Sequence, residues 1–387
     1  MIAIVDLQTI GRDHIPFNTA YLRLQRRIAG AEEIVMVCRP DHQREIAAVL
    51  AETGIEFVAV PEQLHCPPTG LLKAFDERGQ DCFIRDLCRE RRVARLVLLG
   101  VRADLLDRIR MHPPAPAVDI IFHATLAEPA KWRARNPLRR RLDMFGILSR
   151  RFPPAVRLIF LEEGIAALTD TLVAPDSSRG LLPHPIPSEP VLAQRPIDPA
   201  RINVGFIGES QPGKGFEHFV KLARNRPPHL RLHCVGRRAR DYDEAFDALF
   251  DSPPARDKLS QEDYDEKTRA NDIIFLPLDP IWYDLVASGS LLDCIRFGIP
   301  PVIVRNAVTD AIERRYGRFG YSVDTAVQGI DLLRTMPAHR YAADLPQFRH
   351  VLYRIAMDRT VDSLARAASL NCARPWSGRG VDEDPAS

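Results

Sequence analysis

The chain has 387 residues, too many for one comfortable core and suited to two domains of the usual ~100–200 residues each. Its 45% hydrophobic and 27% charged content is that of a soluble globular protein, and a formal net charge of +2 gives no general reason to expect nucleic acid as a partner. No apolar stretch approaches the ~18 residues of a membrane span, and MIAIVDLQTIG lacks the charged start and cleavage site of a signal peptide, so a cytoplasmic protein is expected. Seven cysteines show no CxxC pair and no zinc spacing, and buried free thiols in a reducing compartment are expected. Cys82 and Cys88, the closest pair, both fit a helix turned partly to the core.

The first half alternates short apolar runs with helical patterns. Ile2–Val5, Ile34–Cys38, Phe57–Val60, Leu96–Leu99, Ile120–Phe122 and Arg157–Leu161 read as strands. Between them Phe17–Ala29, Gln43–Glu52, Asp81–Arg92 and Ala103–Met111 read as helices, which predicts a parallel sheet with crossover helices. From Pro175 to Pro199 the composition turns to proline and serine, including LLPHPIPSEP, and reads as an interdomain connection. Alternation restarts with Val204–Ile207, Leu230–Val235, Ile273–Leu276 and Val302–Val304. The expected division is a first domain over 1–182, a linker over 183–200, a second domain over 201–340, helices over 341–372 that could return to the first domain, and a loose tail over 373–387. Two open α/β sheets in series place a cleft between them, and ligands of such sheets sit beyond the carboxyl ends of the strands.

The second domain opens with a strand, then GESQPGKGF, then a helix from Glu217. Gly208, Gly213 and Lys214 reproduce most of a Walker A loop, but Gly215 stands where that motif needs the Ser or Thr that binds magnesium. Asp272 precedes its strand and makes no Walker B aspartate, so a magnesium-dependent NTPase is the weakest of the readings. The loop still suits phosphate: glycines let the backbone approach, and Lys214, one of only six lysines, sits at a helix start. The plain alternative is a surface loop with a solvated lysine.

The stretch SGSLLDCIRFGIPPVIV, Ser288 to Val304, combines a helix start, a carboxylate, a glycine stop and a buried strand. Ser288, Gly289 and Ser290 open the helix and leave backbone N–H groups free for an anion, and Asp293 falls about one turn further on. Phosphates at the helix start with a ribose against the carboxylate is one reading. A helix-N-terminal acid stabilised by the dipole is the other.

GFIGESQPGKGFEHFVKLA followed by LRLHCVG resembles the start of the second domain of GT-B glycosyltransferases, especially those of family 4. NDIIFLPLDPIWYDLVASGSLLDCIRFGIPPVIV resembles their donor-binding region, and LPHPIP the end of their first domain. The similarity runs from about Asn203 to Val304 and is thin over the first 180 residues. It implies an α/β fold of two Rossmann-like domains facing across a cleft, and a glycosyltransferase moving a sugar, a hexose with retention, from a nucleotide diphosphate sugar. Gly208, Lys214 and Gly215 match the donor loop, with Lys214 at the position that contacts the diphosphate. Ser288, Gly289 and Ser290 match the helix start near those phosphates, and Asp293 the acid that holds the ribose hydroxyls. His123, after a first-domain strand, resembles the histidine set against the donor sugar in some members, and a histidine satisfied at a strand end is the alternative. No metal and no cofactor beyond the nucleotide sugar is implied.

Two departures stand out. The family commonly has Arg directly after the glycine of the strand, where this chain has Glu209, which repels a diphosphate unless turned away or paired. The family's pair of acids is also incomplete: Leu285 occupies the first position, so Asp284 or Asp279 serves the sugar by another geometry, or the contact is missing. The rivals are therefore a non-catalytic sugar-nucleotide binder and another GT-B activity such as an epimerase.

For the acceptor, glycan or lipid-linked, the first domain offers the loop Gln8 to His14 and the run Glu162, Glu163 and Gly164 after a strand. Trp132–Arg151 carries seven arginines among Trp132, Leu138, Leu142, Met144, Phe145, Ile147 and Leu148. That pattern suits an interfacial helix on the anionic inner membrane face, and equally an ordinary amphipathic helix with its arginines in water.

Overall fold

A computed structural model describes residues 1–50, 54–65, 73–123, 125–126, 143–190, 198 and 200–371. Crossover helices cover both faces of a parallel sheet, so the central strands are β-branched and aliphatic runs with inward and outward positions alike buried, while edge strands are partly exposed. In the first unit the strands are β1 (Ile2–Asp6), β2 (Ile34–Cys38), β3 (Ile55–Ala59), β4 (Arg95–Leu99), β5 (Ala117–Phe122), β6 (Val156–Leu161) and β7 (Ser178–Leu182). They pair in the order β3-β2-β1-β4-β5-β6-β7, every pair parallel. Asp119, buried in β5, is compensated by Arg95 of β4 and Arg157 of β6, whose guanidinium groups donate to its two oxygens at 2.7–3.0 Å.

The second unit holds β8 (Ile202–Ile207), β9 (Leu230–Val235), β10 (Ile273–Leu276), β11 (Pro301–Val304) and β12 (Tyr321–Val323), all parallel in the order β12-β11-β10-β8-β9. The helix Phe216–Arg224 lays Phe216, Phe219, Val220 and Ala223 against this sheet, where Phe206, Phe219 and Phe250 stack at 5.3–5.5 Å between ring centroids. The chain divides into two units, Met1–Pro183 together with Ala365–Asn371, and His184–Leu364.

Three expectations change. The proline- and serine-rich stretch from Pro175 contains β7, a strand along the edge of the first sheet. Five residues paired on one side tolerate Ser178 and Gly180, and the nearest prolines, Pro175 and Pro183, lie outside it. Cys82 is exposed while Cys88 is buried, because six residues turn a helix through about 600° and set the two on different faces. In the basic segment, residues 132–142 lie outside the described residues. Asp143 caps the short helix Met144–Leu148, accepting from the Gly146 N–H at 2.8 Å, and Met144, Phe145, Ile147 and Leu148 are all buried in protein. These four side chains are unavailable to lipid. No helix among the described residues is long and apolar enough to cross a membrane.

Candidate functional site

The second sheet reverses its strand order at β8, whose neighbours are β9 and β10. Beyond the carboxyl ends of β8 and β10 such a sheet admits a ligand, since the chain leaves the two strands in opposite directions and opens a crevice. Here β8 runs out into GESQPGKG. One 3₁₀ turn, Pro212–Lys214, leads to Gly215, whose φ of 73° redirects the chain into the helix Phe216–Arg224. A β-carbon at Gly215 would collide with the Pro277 carbonyl oxygen, so the turn needs glycine for space as well as for its left-handed backbone.

Lys214 is folded back over the end of β8 rather than solvated. Its Nζ occupies the place where a side chain at Gly208, φ 104°, would begin. Nζ donates to Ser290 Oγ at 3.4 Å, and the Ser290 hydroxyl donates to the Ile207 carbonyl at 3.0 Å. One short relay thus joins the strand end, the lysine and the start of the helix Gly289–Phe297. Burial pushes the Lys214 ammonium below the ordinary lysine range, against the pull of the Asp293 and Glu209 charges.

Ser288 caps this helix, accepting from the Leu291 N–H at 3.3 Å, and Gly298 ends it in the left-handed conformation. The first-turn N–H groups at Gly289 and Ser290 have no intrahelical acceptor, and the lysine reaches the same turn through Ser290. Asp293 lies one turn deeper. Burial raises its carboxyl to about 6, while the Tyr264 hydroxyl, donating to Oδ2 at 2.8 Å, favours the ionised form. Arg296 on the same helix clasps Asp265 with two hydrogen bonds of 2.7 and 3.2 Å, so paired contacts lock the helix Gln261–Arg269 against the helix of Asp293. An ammonium, a helix start and a buried carboxylate in this sequence can hold a diphosphate and a vicinal diol.

Glu209 is paired: Arg237 Nη2 stands 3.4 Å from its Oε2. Leu285 belongs to the core, 9% exposed. Asp284 accepts a hydrogen bond from the Ala307 backbone, and burial together with Asp310 and Asp279 raises its carboxyl above the usual range. Asp279 caps the turn Pro280–Tyr283 by accepting from the Ile281 N–H at 3.0 Å.

In the first unit His123 follows β5 and stacks on Phe17, with ring centroids 4.1 Å apart, and meets the edge of His14 at 4.3 Å. His14 ends the loop after β1 in a left-handed conformation, φ 56°. That loop is pinned from below: the Asn18 amide donates to Asp6 Oδ2 at 2.9 Å and to His42 Nε2 at 2.7 Å, which leaves His42 Nδ1–H to donate to the Gly11 carbonyl at 2.7 Å. Glu162 is buried at the end of β6 with φ 75°. Tyr264 and Arg237 belong to none of the motifs legible in the sequence. The only available signal for Tyr264 was its being the single aromatic in the polar helix QEDYDEKTR. Among the described residues no cluster of His, Cys, Asp or Glu is arranged to hold a metal ion.

No family model and no curated protein sequence matches the chain. Solved structures do match its fold. An Anabaena protein, HepE, solved in complex with UDP and glucose, is 10% identical with a TM-score of 0.65, over 96% of this chain and 99% of that one. Sucrose-phosphate synthase from Thermosynechococcus elongatus is 13% identical with a TM-score of 0.63, over 95% and 97%. WaaG, a glycosyltransferase involved in lipopolysaccharide biosynthesis, is 13% identical with a TM-score of 0.59, over 97% and 100%. At such identities the likeness is one of architecture, and with two all-parallel α/β sheets that architecture is GT-B: the chain has the fold of the GT-B glycosyltransferases, built from two Rossmann-like domains.

Proposed function

We propose that this protein is a glycosyltransferase that moves a sugar, a hexose with retention of configuration, from a nucleotide diphosphate sugar to a glycan or lipid-linked acceptor in cell-surface polysaccharide or glycolipid synthesis. The observation that carries the reading is the relay Lys214–Ser290–Ile207 at the switch point of the second sheet, with Asp293 one helical turn away. In this reading Lys214 and the N–H groups of Gly289 and Ser290 face the diphosphate, and Asp293 accepts from the ribose hydroxyls. As the glycosidic bond breaks, negative charge gathers on the departing diphosphate, where fixed donors have the greatest leverage on the barrier. HepE with its UDP and glucose supports a donor of this class. WaaG supports the biosynthetic setting.

A second reading, a sugar-nucleotide binder without turnover, draws on the buried Leu285 and on Asp284, engaged by the Ala307 backbone. One experiment separates the two. Thermal stability is measured with UDP, GDP, ADP, CMP and ATP, for wild type and Lys214→Ala, and the nucleotide sugar of the best ligand is then incubated with and without mixed glycan and lipid-linked acceptors. One nucleoside diphosphate should raise the wild type by about 2.7 kcal/mol at roughly 100 times its dissociation constant, and the variant should lose that shift. Sugar transfer then supports the enzyme, and binding without transfer the second reading. A wild type that responds to none of the five nucleotides defeats both.

A further inference from the structure

Glu209 sits one residue from the glycine over which Lys214 folds, and its charge acts on that lysine. Asp293 acts on the same lysine, so two carboxylates offset its single positive charge and weaken its pull on a dianion. A further cation at this turn restores that pull. The neighbouring strand supplies one. Ile207 pairs with Val235 in the β8–β9 register, which sets Gly208 beside Gly236, and a β-carbon at Gly236 would collide with the Gly208 carbonyl. The residue directly after this close approach is Arg237.

The two loops are then tied together. The Ser210 N–H donates to the Arg237 carbonyl at 3.1 Å, and the Ala239 N–H donates to Ser210 Oγ at 3.1 Å. Arg237 is consequently anchored by its backbone, while its side chain remains 47% exposed and meets Glu209 through a single long contact of 3.4 Å. Arg238 differs. It is held by Glu244 at 2.7 Å and Asp247 at 2.5 Å, lies over the Tyr242 ring, and has its charge consumed. Of the two consecutive arginines, only Arg237 is aimed at the loop of Gly208.

We infer that Arg237 is the second diphosphate-binding cation of this protein, held ready by Glu209 and transferred to the phosphate oxygens when the donor enters. This inference rests on the donor-site reading above and names the residue that offsets the acid at position 209. A guanidinium suits the task because its planar fork meets two phosphate oxygens at once. Glu209 acts as a positioning residue: it keeps the arginine over the turn and competes with the ligand for it.

The test is the affinity of UDP, GDP, ADP and inorganic pyrophosphate, by titration calorimetry at low and high salt, for wild type, Lys214→Ala, Arg237→Gln, Glu209→Gln and the exchange Glu209→Arg with Arg237→Glu. Arg237→Gln should weaken the preferred nucleoside diphosphate and pyrophosphate about tenfold or more. Glu209→Gln should tighten both and reduce no binding. The exchanged pair should bind within about threefold of wild type, because a cation again flanks the turn. Unliganded melting of each variant shows whether it folds, and if Arg237→Gln does not, the exchanged pair decides. Undiminished binding by Arg237→Gln alongside loss in Lys214→Ala overturns the inference and leaves the donor site standing. A wild type that binds none of the four ligands overturns both.

Discussion

Asp293 combines two opposing demands in one side chain. Burial raises its carboxyl from the ordinary 3.8 to about 6, so the folded protein resists ionisation that the unfolded chain completes by about pH 5. The folded state thus binds more protons between these values, and the group's contribution to stability falls as pH rises through 4 to 6 and stays low above that. Asp293→Asn should accordingly stabilise the unliganded protein at pH 8, by roughly 3 kcal/mol at most, and by close to nothing at pH 4. Denaturant unfolding of both proteins at the two pH values checks this. The same variant should weaken the donor, since an amide cannot accept from two ribose hydroxyls as a carboxylate does. In the wild type, nucleotide-sugar affinity should fall as pH falls through about 6, and Tyr264→Phe should move that loss to higher pH by removing a hydrogen bond that favours the ionised form. An unchanged pH profile in Tyr264→Phe would show that the hydroxyl does not tune the acid.

At the scale of elements, the site is a set of terminations. β8 stops at Ile207, the 3₁₀ turn at Lys214, the helix Gly289–Phe297 begins after Ser288, and each ending leaves polar groups facing the same place. Gly215 joins two of these pieces, and its substitution shows how much of the site is backbone. Gly215→Ala must hold a side chain in the left-handed region and displace the Pro277 carbonyl, at a cost of roughly 1–3 kcal/mol. Its nucleotide affinity should fall further than its melting temperature accounts for, because Lys214 hangs from the same turn. Equal affinity at saturating folded fraction would show that the loop re-forms without the glycine. The switch-point geometry explains the clustering: adjacent strands whose chains depart in opposite directions leave room for a ligand where they part.

At the scale of the whole molecule, each unit has its own sheet and its own buried residues, and the proposed donor contacts all lie within His184–Leu364. Calorimetric unfolding should therefore show the nucleoside diphosphate raising the transition of this unit by the amount binding supplies, about 2.7 kcal/mol at 100 times the dissociation constant, with a smaller effect on the other. An equal displacement of two resolved transitions would mean that the first unit shares the ligand.

The division of labour between sequence and structure follows from range. Runs such as IAIVD, IVMVC and PVIV declare buried parallel strands because both faces are covered, and Ser288 and Gly298 mark a helix's ends because capping is a local hydrogen-bond requirement. The sequence by itself therefore determined the two α/β domains, the loop after β8 and the helix that carries Asp293. The edge strand β7 lay beyond it: SRGLL has little strand propensity and is held by pairing with β6, an interaction absent from its own composition. Only the tertiary structure decided that Lys214 folds over Gly208 onto Ser290, that Tyr264 meets Asp293 across 29 residues, and that Glu209 faces Arg237 across 28. Those contacts join side chains through the register of neighbouring strands and the packing of helices, and no local pattern encodes a distance between residues so far apart along the chain.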